Sequence, residues 1–243
     1  MNPLSATGPY VVMAVDDDPI SLEIISILLE SEGHQGMLAE SGERALEMLG
    51  EFAEGDRPEI ILTDLQMPGV CGPELAGWLR RAAPNATLIA LSASPPERVE
   101  GYDAVLKKPL SPGWVRIIQG NAQTAGGIKD ASTIPAIDDR VFGALRRAMA
   151  TEALREVCEA FFTDSRSRIG EIRQMAEAGD FDAVRRLAHT LKGSASMIGA
   201  SRLAGEASAI EAGSYKSSGD LLQMIEDLDV QSRRVESMLL ATI

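Results

Sequence analysis

Residues 11–19 run VVMAVDDDP: an apolar stretch, a row of aspartates, then a proline. A short apolar run cut off by acids reads as a strand buried on both faces. The Asp18-Pro19 step reads as a helix start, with proline at the first helical position, where it has no intrahelical bond to lose. Working outward, the same cadence recurs. Strands are expected at Tyr10–Val15, His34–Ala39, Glu59–Thr63, Thr87–Leu91 and Ala104–Leu106. Amphipathic helical stretches follow from Pro19, Gly42 and Gly72, and another after Pro112. Strands alternating with helices imply a parallel sheet with right-handed crossovers and helices on both faces.

Past this region the pattern changes. Residues 121–136 (NAQTAGGIKDASTIPA) are poor in bulky apolar side chains and read as a linker. After Asp138 only helical periods remain, through Leu145, Leu154, Val157, Phe161, Ile169 and Ile172, then Asp180–Ile198, Ser201–Ala212 and Asp220–Leu240. Asp180 and Ser201 are expected N-caps, and Gly199 and Gly213 expected stops. The organisation predicted is an α/β domain over 8–120, a linker over 121–136 and an antiparallel helical bundle over 137–243.

The bulk numbers narrow the function classes. Net charge is −13. Residues 1–122 carry 8 basic and 18 acidic side chains, and residues 123–243 carry 15 and 18, so neither half suits nucleic acid. No apolar run approaches a membrane span, and the first ten residues lack the regions of a signal peptide. Cys71 and Cys158 fit no metal or disulfide spacing. A soluble, cytoplasmic protein is expected.

The acids after the strands carry chemistry. Asp16, Asp17 and Asp18 follow the first strand and Asp64 the third, while Ser92 ends the fourth and Lys108 the fifth. Ligands of open parallel sheets bind beyond the carboxyl ends of the strands, so these residues are expected to converge. Carboxylates within about 4 Å repel by roughly 4 kcal/mol per pair near a protein surface. A divalent cation removes that repulsion, and Mg²⁺ takes one or two carboxylates while keeping several waters. An aspartate can also attack a phosphoryl group to give an acyl phosphate. Ser92 and Lys108 would then hold the oxygens where charge develops. Taken singly, such residues are ordinary caps and turns; the joint set is what points to phosphoryl chemistry.

The segments VMAVDDDP, ILTDLQMPGVCG, LIALSA and VLKKP resemble, in order, the motifs of response-regulator receiver domains. The resemblance implies a flavodoxin-like fold in which Asp64 accepts the phosphoryl group. It implies ligation of Mg²⁺ (or Mn²⁺) by Asp17, Asp64 and the Gln66 backbone carbonyl, with Asp16 acting through water. Ser92 and Lys108 stand at the family's hydroxyl and lysine positions. Two features depart from the pattern. Val105 occupies the place of the family's aromatic switch residue. Only eleven residues, Ala93–Asp103, join the fourth strand to the fifth, and they include Pro95-Pro96, so a short fourth helix is expected. That reduces the surface on which relatives dimerise.

The second site lies in DFDAVRRLAHTLKGSASMI, residues 180–198. At about 100° per residue, Val184, Ala188, Leu191, Ala195 and Ile198 share an arc of about 80°, and His189 lies about 140° away, facing outward. A helical histidine alone is usually structural. Gly193, one turn on, is costly in a helix interior but would clear space beside the imidazole. Lys192 would place a cation near a phosphoryl group on the ring, and Arg185 and Arg186 would attract an acidic partner. The string AHTLKGSA resembles the signature of histidine-phosphotransfer (HPt) domains, which implies a bundle phosphorylated at His189. His34, the other histidine, is expected to be structural or merely exposed.

These resemblances together imply a two-component phosphorelay protein, exchanging phosphoryl groups with a sensor (hybrid) histidine kinase and other receiver domains. Kinase activity is not expected, since neither a glycine-rich nucleotide loop nor kinase ATP-binding boxes occur. The chain is expected to be a signalling protein rather than an enzyme, its receiver catalysing only its own phosphorylation and dephosphorylation, and no further output domain is expected. The alternative is a receiver acting as an allosteric switch on a kinase-docking bundle without obligatory relay. A phosphatase of the haloacid-dehalogenase class fits less well. Asp16 and Asp18 match its first motif, but the later acidic pair, Asp138-Asp139, opens a helix beyond the linker rather than ending a strand.

Overall fold

The structure is a computed structural model describing residues 9–53, 57–110, 113–118 and 135–243. The chain divides into two compact units, Met1–Gly126 and Gly127–Ile243. Most of the expected linker lies outside the described residues.

The first unit is a five-stranded parallel sheet in the order β2-β1-β3-β4-β5. The strands are β1 (Val11–Val15), β2 (Gln35–Ala39), β3 (Ile60–Asp64), β4 (Thr87–Ser92) and β5 (Ala104–Lys107). They alternate with α1 (Pro19–Ser31), α2 (Gly42–Glu51) and α3 (Gly72–Ala82), and a short α4 (Trp114–Ile118) follows β5. Asp18 caps α1 by accepting from the Ser21 amide, and Ser41 caps α2 by accepting from Arg44. Alternate strand residues point to opposite faces. Met13, Val15, Ile61 and Leu88 pack with Ala45, Leu49, Leu75 and Leu79 of α2 and α3. α1 buries Ile24, Ile25, Leu28 and Leu29 and packs on β1 and β2. β3 and β4 are buried at every residue and β1 at all but Val11, which is why they could be recognised as apolar runs.

One expectation for this unit needs correction. No helix of any length forms between β4 and β5. Pro95 and Pro96 have no amide protons, and Pro96 steers the residue before it away from the helical region. The remaining residues must also bring the chain back to the level of Ile89, where Ala104 pairs. Extended chain covers that distance economically; a helix, rising about 1.5 Å per residue, does not. Asp103 anchors the return, its amide donating to the Leu88 carbonyl and its carboxylate accepting from the Leu88 amide and Arg80, each at 2.8 Å.

The second unit is helical, as expected: α5 (Asp139–Ala148), α6 (Thr151–Ala178), α7 (Phe181–Ile198), α8 (Ser201–Glu211) and α9 (Ser218–Leu240). α6, α7, α8 and α9 touch in a ring, and α5 packs on α6 and α7. Phe161 and Phe162, edge to face with centroids 4.8 Å apart, fill the core with Leu191, Met197, Ile198, Ile225 and Leu228. Asp180 caps α7 as expected. Ser201 does not cap α8: Ala200 occupies that position without a side-chain bond, and Ser201 begins the helix. Gly199 ends α7 at φ +82°, and a Cβ there would lie 3.1 Å from Val141 Cβ and 3.2 Å from the Asp138 carbonyl oxygen. It is therefore both a helix stop and the point where α5 leans on α7. Among the described residues no helix is long and apolar enough to cross a membrane.

Candidate functional site

Strand register builds the first site. β1 and β3 are parallel neighbours with Val15 opposite Thr63, so Asp16 and Asp64 emerge side by side. Carboxylate oxygens of Asp16, Asp17 and Asp64 lie within 4.8 Å of one another. Lys108 reaches them from the end of β5, its Nζ donating to Asp16 Oδ2 at 2.5 Å and Asp64 Oδ2 at 2.7 Å. Lys108 and Asp16 are 3 % and 1 % exposed, so this ion pair is shut away from solvent. The backbone completes the set: the Lys108 amide donates to the Ser92 carbonyl (2.8 Å), Asp18 N–H to Asp16 Oδ1 (3.1 Å) and Gln66 N–H to Asp64 Oδ1 (3.1 Å). Ser92 is buried at the end of β4, its Oγ accepting from the Ser94 amide. Gln66 is exposed in the loop after β3. All six residues named from the sequence thus gather at one end of the sheet.

Electrostatics identifies what this place lacks. Burial pushes the Asp16 carboxyl up to about 7; Lys108 opposes the shift and Asp64 adds to it. Burial, then Asp64, also raises the half-buried Asp17. Burial alone would lower Lys108, but Asp16 and Asp64 outweigh it and hold the ammonium charged. Three carboxylates face one ammonium, which leaves an excess of negative charge in a poorly hydrated site. A hard divalent cation with oxygen ligands fits that deficit.

The second site is made by two helices. His189 lies mid-way along α7, and its Nδ1 is 2.7 Å from Glu211 Oε1 at the end of α8. Lys192 Nζ donates to the other oxygen of the same carboxylate, at 2.8 Å. Burial would raise Glu211, but its bonds from Lys192 and His189 more than offset this and hold it below the usual carboxylate value. An ionised carboxylate only accepts, so Nδ1 carries a proton, and in the neutral ring the lone pair lies on Nε2. The imidazole is less open than the helical wheel implied, with its side chain 14 % exposed, because α8 lies against that flank. Lys192 and Gly193 are buried. Arg185 and Arg186 are exposed, and Arg185 turns to Asp182 at 3.3 Å rather than to His189.

Glu211 was missed in the sequence, being 22 residues from His189. A signal existed, however. His189 precedes the Gly199 stop by ten residues and Glu211 follows it by twelve, so the arms of a helical hairpin bring the two nearly level. His34 is structural: its Nδ1 accepts from the Tyr10 amide, and its ring lies between Tyr10 and Trp114, tilted to the first and edge-on to the second.

Comparison with known proteins agrees with this geometry. The response regulator receiver domain family matches residues 12–113, and the Hpt domain family matches residues 156–240. The virulence sensor protein BvgS of Bordetella pertussis is 27 % identical over 257 residues, covering 95 % of this chain and 20 % of BvgS. The sensor histidine kinase AruS of Pseudomonas aeruginosa is 26 % identical, covering 81 % of this chain and 20 % of AruS. The chain therefore spans about a fifth of the length of these sensor relatives. The polar-differentiation response regulator DivK of Brucella anthropi is 30 % identical over 120 residues, 46 % of this chain and 94 % of DivK. Among solved structures, response regulator TrrA of Thermotoga maritima, in complex with Mg²⁺ and BeF, is 26 % identical, covers 46 % of this chain and 96 % of TrrA, and gives a TM-score of 0.40. With an Hpt domain following its receiver, the chain belongs to the response regulator receiver family and to the proteins of two-component phosphorelay signalling.

Proposed function

We propose that this chain relays phosphoryl groups through Asp64 and His189, drawing them from a sensor histidine kinase or exchanging them with other receiver domains in the cytoplasm. The observation that carries the reading is the Lys108 bridge between Asp16 and Asp64, with a third carboxylate beside it. Asp17, Asp64 and the Gln66 carbonyl would hold Mg²⁺, with Asp16 acting through water. The ion would neutralise charge on the phosphoryl oxygens and lessen repulsion of the incoming group.

The remaining steps belong to the protein's own groups. An Asp64 carboxylate oxygen attacks phosphorus as the bond from phosphorus to the donor nitrogen breaks, and the departing imidazole recovers its ring lone pair. Lys108, already on Asp64 Oδ2, and the Ser92 hydroxyl hold the phosphoryl oxygens. In the second unit His189 Nε2 attacks an aspartyl phosphate and the carboxylate leaves. Glu211 holds the Nδ1 proton throughout and stabilises the positive charge that develops on the ring. Both exchanges are reversible, and the chain acts on no separate substrate.

Incubation with ³²P-labelled acetyl phosphate and Mg²⁺ tests this. Label of acyl-phosphate character, lost in alkali, is expected on wild type and absent from Asp64→Asn. A cognate phosphorylated receiver should give alkali-stable label that His189→Gln abolishes. Undiminished labelling of the Asp64→Asn receiver would end the reading.

A further inference from the structure

The geometry points to Tyr102 as a positioning residue for phosphoryl transfer at Asp64: its hydroxyl pins the end of β3 to the start of α3 and so sets the loop between them. The inference rests on Asp64 being the phosphoryl acceptor.

The loop Leu65–Cys71 carries Gln66, whose amide touches Asp64, and where it runs decides where the Asp64 carboxylate points. It is gripped from two sides. On one, Glu43 in the first turn of α2 accepts from the Val70 amide at 2.9 Å. On the other, the Tyr102 hydroxyl accepts from Thr63 Oγ1 at 2.8 Å and donates to the Gly72 carbonyl at 3.2 Å. Thr63 immediately precedes Asp64, and Gly72 opens α3. A phenol has one proton and two lone pairs, so both bonds form at once. Burial raises the Tyr102 pKa, which keeps the donated proton in place at neutral pH.

The helix-free return between β4 and β5 makes this reach possible. Gly101 adopts φ +86°, and a Cβ there would lie 2.7 Å from Ala76 Cβ, so the backbone rests directly on α3. Tyr102 follows and packs its ring against the core shared by α2 and α3. A segment too short to build a helix thus places one aromatic hydroxyl across the two ends of the loop. Val105, at the family's aromatic position, lies in β5 and has no polar group to do this.

The test compares wild type, Tyr102→Phe, Thr63→Val and their double variant in the full chain. Readouts are the rate of Asp64 labelling by acetyl phosphate at saturating Mg²⁺ and donor, Mg²⁺ affinity by calorimetry, and the receiver melting temperature. Tyr102→Phe keeps the ring, so melting should move by no more than about 2–4 °C. Small misplacements of reacting groups cost rate steeply, so labelling should slow by about 5- to 20-fold and Mg²⁺ bind about 3-fold more weakly. The double variant should be no slower than the worse single one, since both remove the same bridge. Labelling of Tyr102→Phe at the wild-type rate overturns the inference, as does full recovery of the rate when a stabilising osmolyte restores the melting temperature. Should Tyr102→Phe fail to fold, Thr63→Val decides on the same criteria. Failure of the acceptor reading shows separately, as undiminished labelling of Asp64→Asn.

Discussion

The two halves of this molecule each set a lysine and a carboxylate beside a proposed nucleophile, but with opposite charge balance. At the end of the sheet one ammonium faces three carboxylates, and the proposed nucleophile is one of those carboxylates. In the bundle one carboxylate faces an ammonium and an imidazole, and the proposed nucleophile is the ring. The first arrangement is short of positive charge and calls for a cation from solution. The second is balanced without one. Metal dependence should therefore divide the molecule, with the receiver sensitive and the bundle indifferent.

Removing each lysine is the strongest way to break that contrast. Lys108→Met leaves Asp16 and Asp64 buried without a counter-ion, so the metal-free receiver should lose about 3–5 kcal/mol, partly restored by millimolar Mg²⁺. Lys192→Met leaves Glu211 with His189 and some solvent, and should cost the bundle about 1–2 kcal/mol whether or not Mg²⁺ is present. Urea titrations separate the two, because both tryptophans, Trp78 and Trp114, lie in the first unit and report on it alone. Equal losses, or a Mg²⁺ response in the bundle, would remove the contrast.

A smaller effect sharpens the bundle's side. Glu211→Gln keeps an oxygen for the His189 Nδ1 proton but removes the charge that stabilises a cationic ring. Transfer from an aspartyl phosphate to His189 should slow by about tenfold, equivalent to about 1.4 kcal/mol. Stopped-reaction labelling measures it, and an unchanged rate would reduce Glu211 to a packing residue.

The smallest expected effect concerns pH. Glu206 on α8 has an Oε2 that is buried without a hydrogen-bond partner, and its carboxyl is pushed up to about 7 by burial and Asp227, with Arg202 opposing. Between the ordinary carboxylate value and about 7 the folded bundle holds a proton that the unfolded chain has released. Its contribution is present at acid pH and fades as pH rises through that window. After allowance for solvent screening the change is on the order of 1 kcal/mol. Denaturation of the bundle at pH 5 and pH 8 should show it, and Glu206→Gln should flatten the dependence. A bundle more stable at pH 8 would reverse the sign and refute the assignment.

Much of this could be read from the chain because physics repeats itself there. Central strands of a parallel sheet are dry on both faces, so β1, β3 and β4 stand out as apolar runs, and Asp16, Asp64 and Ser92 stand out as polar residues that end them. The change from that cadence to helical periods marks the bundle. What could not be read depends on neighbours distant in sequence. The wheel of α7 turns His189 outward correctly, but α8 then comes to lie against it. Glu211 lies on that second helix, beyond any local pattern. The β4–β5 return is legible as short from its eleven residues, but the strand register adds the distance they must span, which leaves no chain for a helix.

The position of Lys108 has a consequence for how the protein comes into being. Its bonds to Asp16 and Asp64 span 92 and 44 residues, whereas His189 meets Glu211 across 22. Contacts between distant residues carry a larger loop-closure entropy and form later, while a helical hairpin assembles quickly from neighbours. Lys108 also follows an edge strand, β5, the last strand of the sheet in sequence. A receiver with its final strand undocked has its acids but no lysine between them. On the proposed reading, competence to accept a phosphoryl group at Asp64 would thus belong to the completed sheet alone, and partly folded chains would be kept out of that exchange.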